Sequence, residues 1–207
     1  LAEGKPLEYV DEMYPYASKP VSNYAWSKRE AEKLVRKANS DGLETVVLRP
    51  RLVWGLGDQS ILPGFIEAIE DGGFAWIGGG HYQTSTTHVD NVVEGILLAA
   101  ERGRAGEVYF VTDGNPIEFR EFISKLVQTQ GVEPPDRSLP RWFAKTLASS
   151  SEAIWSVLPL SSTPPITRTA THLLGVEVTI DISKAQRELG YRPIVSRKEG
   201  LEELTDE

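Results

Sequence analysis

Two periodicities alternate along this chain, and together they restrict it to one class of fold. Residues 21–39, VSNYAWSKREAEKLVRKAN, carry Ala31, Leu34, Val35 and Ala38 at helical spacing, and LETVVLRP at 43–50 follows as a β-branched run closed by proline. The pair recurs downstream. Val92, Val93, Ile96, Leu97 and Ala100 form one helical face, and EVYFVT at 107–112 again reads as a strand. Helix, strand, helix, strand is an α/β rhythm, because a strand buried on both faces needs helices to cover it. Ser22 or Asn23 caps the first helix and Gly42 follows its end; Asp90 opens the second, and Gly103 and Gly106 close it.

The remaining segments fill in around these. WGLGDQ reads as a loop, ILPGFIEAIEDGG as a short helix, and FAWIGGGHYQTSTTHV as a hairpin turning at the glycines. A helix is expected near 118–130, then the linker VEPPDRSLP, an amphipathic stretch from Arg141 to Leu158, and a break at SSTPP. The tail reads as a helix near 166–174, the strand VEVTI, a helix at DISKAQREL, and a last helix opened by Ser196 with Glu199 in capping-box position. The chain opens without methionine on LAEGKPLEYVDEMYPYASKP, a loop in mid-course, so it is expected to be the back part of something longer.

Composition removes several function classes. A net charge of −8 argues against a nucleic-acid partner, which needs clustered Lys and Arg on one face. With no cysteine and three scattered histidines there is no thiolate chemistry and no metal-ligand spacing, so no metal is expected. No apolar run reaches the roughly 18 residues that span a bilayer, and no secretory signal is visible. A small or neutral ligand and a cytoplasmic location fit this composition.

Tyr24 and Lys28 are four apart on the first helix, where Cβ atoms lie about 5–6 Å from one another and both side chains can reach one ligand. A phenol titrates near pH 10, so acid–base work at neutrality needs a shift of roughly three units, about 4 kcal/mol. An ammonium about 4 Å away at an effective dielectric near 20 supplies roughly that much. Seven tyrosines and nine lysines nevertheless produce this spacing by chance roughly 0.3 times. The spacing alone leaves two readings open, an acid–base pair or a solvated helix face.

PVSNYAWSKREAEKLV, LRPRLVWGLGD, THVDNVVEGILLA, GEVYFVTDGNPIEFREF and DISKAQRELGYRP occur in this order across most of the chain. Together they resemble the extended short-chain dehydrogenase/reductases, of the NAD-dependent epimerase/dehydratase type. Ser27, Lys28, Ala31-Glu32, the THV at 87–89 and the tail SKAQRELGYRP look most like the 3β-hydroxysteroid dehydrogenase/isomerase family. The resemblance covers roughly residues 10–200 and implies an NAD- or NADP-dependent oxidoreductase acting on a secondary alcohol or ketone of a largely apolar, sterol-like molecule. By it, Tyr24 exchanges a proton with the substrate oxygen, and Lys28 hydrogen-bonds the nicotinamide ribose and lowers the tyrosine pKa. Pro50 brings backbone toward the nicotinamide, with Arg51, Leu52 and Val53 alongside; as a plain strand terminator Pro50 is explained equally well. His88 is kept out of the catalytic set, as a hydrogen-bonding scaffold element.

The resemblance also implies an architecture. Residues 1–60 and 88–116 are expected to be the remaining part of a Rossmann-type, doubly wound parallel sheet, and 61–87 with 117–207 a smaller mixed α/β substrate domain. The family's glycine-rich phosphate turn and its catalytic serine are missing: Gly55, Gly57 and Gly78 to Gly80 lack the spacing, and neither Ser18 nor Ser22 takes the serine's position. The portion in this sequence is therefore expected to be inactive by itself and to expose strand edges and apolar faces. RWFAKTLASSSEAIWSVLPL, 141–160, is expected either to pack in the core or to close an apolar substrate pocket, and in some members of the family this region contacts membranes; a homodimer is left open. Two alternatives stand beside this reading. A nucleotide-sugar epimerase or dehydratase would recruit Arg137, Arg141, Arg168 and Arg192 for a diphosphate, and a non-catalytic binding module would keep only the fold.

Overall fold

In the computed structural model, residues 5–20, 22–144, 146 and 175–205 are described. The first strand, β1 (Leu7–Val10), leads into α1 (Asn23–Ala38), whose N-cap Ser22 accepts a hydrogen bond from the Ala25 amide at 3.2 Å. Then come β2 (Val47–Pro50), β3 (Val53–Trp54), α2 (Ile61–Glu70), β4 (Trp76–Ile77), β5 (Gln83–Thr84), β6 (Thr87–His88) and α3 (Val89–Arg102). After these follow β7 (Val108–Val111), β8 (Ile117–Glu118), α4 (Phe119–Gln128), β9 (Ser138–Leu139), β10 (Val178–Ile180), α5 (Ser183–Glu188) and α6 (Arg197–Thr205).

Every ladder among the described residues is parallel except β5 against β8. The β2 and β7 strands pair in register from Val47–Val108 to Pro50–Val111, and β1, β10, β5 and β8 form a four-stranded sheet in that order. Two apolar cores result. One gathers Leu7, Val10, Leu98, Tyr109, Phe110, Val178, Ile180 and Tyr191 around β7 and β10. The other gathers Trp54, Phe74, Trp76, Tyr82 and Leu204 around α4, with Phe122, Ile123, Leu126 and Val127 fully buried. Residues Val176, Val178, Ile180, Ile182, Ala185, Leu189 and Tyr191 thus pack in one core with β1 and β7.

The structure corrects three local expectations. Residues 74–89 make no hairpin: Gly78, Gly79 and Gly80 all have positive φ and form a single 3-10 turn, so β4 runs to β9 and β5 to β10 and β8. The N-cap of α3 is His88, whose Nδ1 accepts from the Asp90 amide at 3.3 Å, so Asp90 lies inside the first turn. The apolar stripes chosen from periodicity also face outward: Leu34 and Val35 are 68% and 41% exposed, and Val93, Ile96 and Leu97 are 47%, 52% and 60% exposed. What α3 buries is Asn91, Gly95, Leu98 and Ala99. The capping box at the last helix is present as expected, with Ser196 N on Glu199 Oε2 at 2.8 Å and Glu199 N on Ser196 Oγ at 3.3 Å. The helix expected near 166–174 and most of the 141–160 stretch lie outside the described residues, among which no helix is long and apolar enough to cross a membrane.

One buried carboxylate ties these pieces together. Asp113, just past β7 and with a fully buried side chain, accepts from Trp54 Nε1 (2.9 Å), Thr86 Oγ1 (2.6 Å), His88 N (2.6 Å) and Asn91 Nδ2 (2.7 Å). Asn91 in turn accepts from the Ile194 and Val195 amides and donates to Val195 O, binding the approach to α6. Replacing Asp113 with Ala leaves four buried donors without an acceptor. The expected cost is about 3–5 kcal/mol, read in urea unfolding as a lower midpoint with an unchanged slope.

Candidate active site

The helix α1 is moored to the sheet by polar contacts. Glu32 receives two hydrogen bonds from Arg49, Nε at 2.9 Å and Nη2 at 2.6 Å, and a third from the Tyr16 hydroxyl at 2.8 Å. Thr45 Oγ1 donates to Val35 O at 3.2 Å, and the Thr45 amide to Asn39 Oδ1 at 2.9 Å. Thr45 meets the end of the helix and Arg49 its middle, so α1 and β2 run antiparallel. Eight residues back from Glu32, about 12 Å along the axis, Tyr24 is carried past the end of β2 toward the segment 50–53.

Tyr24 and Lys28 share the outer face of that helix. Tyr24 is 57% exposed, Lys28 is exposed, and the Lys28 ammonium lies 5.6 Å from the centre of the Tyr24 ring. Ser27 Oγ donates to the Tyr24 carbonyl at 2.9 Å and so turns away from the pair. The phenol and the ammonium thus face open space, side by side.

Pro50, Arg51, Leu52 and Val53 form one kinked segment between β2 and β3. Pro50 is exposed, Arg51 and Leu52 are half-buried and Val53 is 37% exposed. Leu52 takes φ 45°, a left-handed conformation that side chains other than glycine rarely adopt and that costs of order 1–3 kcal/mol. Thr87 holds the kink: its Oγ1 accepts from the Arg51 amide at 3.0 Å and lies 2.8 Å from the Arg51 carbonyl, and its own amide donates to Leu52 O at 3.2 Å. Thr87 in turn stands beside His88, whose amide Asp113 fixes. The expected site residues therefore fall into two groups, Tyr24 with Lys28 and Pro50 to Val53, facing the same end of β2 without a direct hydrogen bond between them.

Sequence reading missed the residues that do the holding: Tyr16, Glu32, Arg49, Thr87 and Asp113. Periodicity carries no signal for them, since each acts through a partner at least 16 positions away. His88, Asp90 and Glu203 also come together, with donor atoms within 4.8 Å. The Nδ1 of buried His88 accepts from the Asp90 amide, and its Nε2 lies 3.7 Å from Glu203.

The class of protein follows from the architecture. The fold is that of the Rossmann-type dehydratases and epimerases: a crystal structure of DesIV, a dTDP-glucose 4,6-dehydratase from Streptomyces venezuelae with NAD and TYD bound, superposes with a TM-score of 0.68 at 24% identity, covering 99% of this chain and 56% of that one. Residues 2–141 match the 3-beta hydroxysteroid dehydrogenase/isomerase family, and the chain belongs to it. It is 47% identical over 204 residues to a 4-hydroxy-2-methyl-3-oxo-4-farnesyl-3,4-dihydroquinoline-1-oxide ketoreductase of Stigmatella aurantiaca, across 99% of this chain and 61% of the relative. It is 34% identical over 195 residues to a 2-alkyl-3-oxoalkanoate reductase of Stenotrophomonas maltophilia (strain K279a), across 92% and 59%. The chain thus spans about three fifths of the curated relatives it matches.

Burial raises the pKa of Glu32, but hydrogen bonds from Arg49 and Tyr16 outweigh it and leave the carboxyl below its ordinary 4.5. A carboxyl lowered on folding contributes stability above its unfolded pKa and loses it as pH falls through the folded value. Glu32→Gln is therefore expected to cost about 1.5–3 kcal/mol at neutral pH. The gap to the parent should start to close near pH 4.5 and vanish at lower pH, as followed by denaturant unfolding across that range.

Proposed function

We propose that this chain is the back portion of an NAD- or NADP-dependent oxidoreductase that interconverts a ketone and a secondary alcohol on a largely apolar, sterol-like molecule. The observation that carries the reading is the Tyr24–Lys28 pair on the open face of α1, at the end of β2 where the 50–53 segment kinks. Two polar side chains with a clear approach fit the ribose and nicotinamide end of a dinucleotide; the pyrophosphate end has no glycine-rich turn among these residues. The nicotinamide, when bound, supplies or receives the hydride.

The chain's own residues handle the proton and the geometry. Tyr24 delivers its phenolic proton to the carbonyl oxygen in reduction and recovers it in oxidation. Lys28 stabilises the phenolate that remains, an attraction that grows as substrate and cofactor displace water and the local dielectric falls. Pro50 to Val53 present backbone and short apolar contacts beside the ring, in a conformation that Thr87 keeps fixed. The division into a dinucleotide-binding part, 1–60 and 88–116, and a substrate part, 61–87 and 117–207, is proposed with it; β2 paired to β7 supports the first and the aromatic core around α4 the second. The nucleotide-sugar alternative has less support, because Arg137 already donates to the carbonyls of Gly72 (2.5 Å) and Phe74 (2.7 Å).

Tyr24→Phe in the full-length protein is expected to lower NAD(P)H-linked turnover of sterol-type ketones by about 10²–10⁴-fold while dinucleotide binding, followed by fluorescence titration, persists. Undiminished turnover by the variant would remove the acid–base assignment.

A further inference from the structure

Positive φ belongs to glycine almost throughout this chain. Among the described residues ten glycines take it, and the only other residues to do so are Tyr9 and Leu52, both at φ 45°. Glycine meets no steric obstacle there, whereas a Cβ crowds the neighbouring carbonyl. The two exceptions differ in what their side chains do. Tyr9 is 68% exposed. Leu52 is half-buried and packs against the aromatic core that includes Trp54, Phe74, Trp76 and Phe122. The strain at Leu52 thus accompanies a seated side chain, and a glycine there would remove both.

The backbone of the same kink is held by Thr87. Fully buried, it accepts from the Arg51 amide at 3.0 Å, lies 2.8 Å from the Arg51 carbonyl, and donates its own amide to Leu52 O at 3.2 Å. A hydrogen bond tolerates tens of degrees of bend, so these contacts place the peptides on either side of Leu52 without fixing their tilt. An apolar side chain lodged in a close-packed core supplies that last restraint, because such interiors transmit displacement rather than absorb it. The core in turn is fixed, since Trp54, two residues on, donates Nε1 to the buried Asp113 carboxylate at 2.9 Å.

We infer that Leu52 is a positioning residue for the reaction: its side chain, seated on the aromatic core, sets the 50–53 backbone at one tilt, so that the nicotinamide meets a fixed surface beside Tyr24. The inference rests on the oxidoreductase reading above and adds to it what governs the orientation of the ring. Leu52 acts through the backbone it fixes rather than on the reacting atoms. A productive approach needs those atoms about 3–3.5 Å apart and aligned, and a ring against a loosened kink spends little time on that line. Strain retained at a site for the sake of geometry lowers stability while it serves activity, so its removal should separate the two.

The test compares Leu52→Gly, Leu52→Ala and Leu52→Met in the full-length protein. Glycine and alanine both lose the seated side chain, but only glycine also loses the strain, so Leu52→Gly is expected to have the higher urea midpoint of the two. Its kcat with sterol-type ketones should fall by about ten- to a hundredfold while the affinity for NAD(P)H, followed by fluorescence titration, stays close to the parent's. Leu52→Met, unbranched at Cβ and similar in volume, should recover most of that kcat. Time-resolved fluorescence anisotropy of bound NAD(P)H reads the ring without turnover: nanosecond rotation of the nicotinamide should appear in Leu52→Gly and be absent from the parent and Leu52→Met. If no form reduces a ketone but the ring is freed in Leu52→Gly, the positioning role stands and the ketone reading falls. Parental kcat in Leu52→Gly, or a ring as immobile as the parent's, would overturn the positioning role. So would a Leu52→Gly midpoint below that of Leu52→Ala, the order of an unstrained backbone, and a full-length protein that binds no NAD(P)H would overturn both readings.

Discussion

The Asp113 carboxylate is the constraint on which the rest of the molecule depends. A buried carboxylate is tolerated only when its oxygens are saturated, and here four donors from β3, the β5–β6 junction, β6 and α3 satisfy them. Arg197, 3.8 Å away on α6, supplies a partial countercharge and itself donates to Thr86 Oγ1 at 2.8 Å. Trp54 and His88 thereby fix strands β3 and β6, which would otherwise be held only by their two-residue ladder. The consequence reaches the candidate site, because the His88 amide that Asp113 holds is the neighbour of Thr87, and Thr87 sets the strained kink at Leu52. A polar network of this kind specifies one arrangement where apolar packing alone would admit several.

The helix bearing the candidate pair is attached in a different way. No residue of α1 is buried, and polar contacts hold it: the Glu32–Arg49 pair, the Tyr16 hydroxyl on Glu32, Thr45 on the Val35 carbonyl, and the Arg29 guanidinium on the Ala17 carbonyl at 2.8 Å. Its apolar stripe is the face that also carries Tyr24 and Lys28: positions 24, 28, 31, 35 and 38 follow one another at helical spacing. With Val93, Ile96 and Leu97 of α3 also exposed, the described residues show more apolar helix surface open to solvent than scattered surface residues account for. The relatives are longer by about two fifths of their length. A partner packed on the α1 stripe would also form a wall beside Tyr24, because the two share one face of the helix.

Element type was legible in the sequence wherever a local rule decided it. Ser22, the β-branched run ending at Pro50 and the reciprocal Ser196–Glu199 box each settle their own neighbourhood, and each appears where the residues imply. Orientation was not legible. Periodicity marks an apolar face but cannot say which partner meets it, so the outer stripe of α3 was chosen while Gly95 and Leu98 do the packing. The glycine triplet misled for a related reason: three positive φ angles mark a turn but do not say which strands meet across it, and the distant partners β9, β8 and β10 decided that. In the candidate site, Tyr24 and Lys28 were legible because their spacing is local. Thr87 and Glu32 were not, because their roles exist only once a connecting segment 36 residues away and a strand 17 residues away have been brought to them.

Charge pairing then distinguishes structural cations from those kept for ligands. A guanidinium or ammonium that only supports the fold gains most by closing on a carboxylate, as Arg49, Arg120 and Lys184 do. Lys28 and Arg141 stack on rings and, among the described residues, close on no carboxylate. In a chain with thirty acidic residues and a net charge of −8, Lys28 keeps its ammonium open beside the Tyr24 ring, which ties the charge pattern to the proton chemistry proposed for that pair.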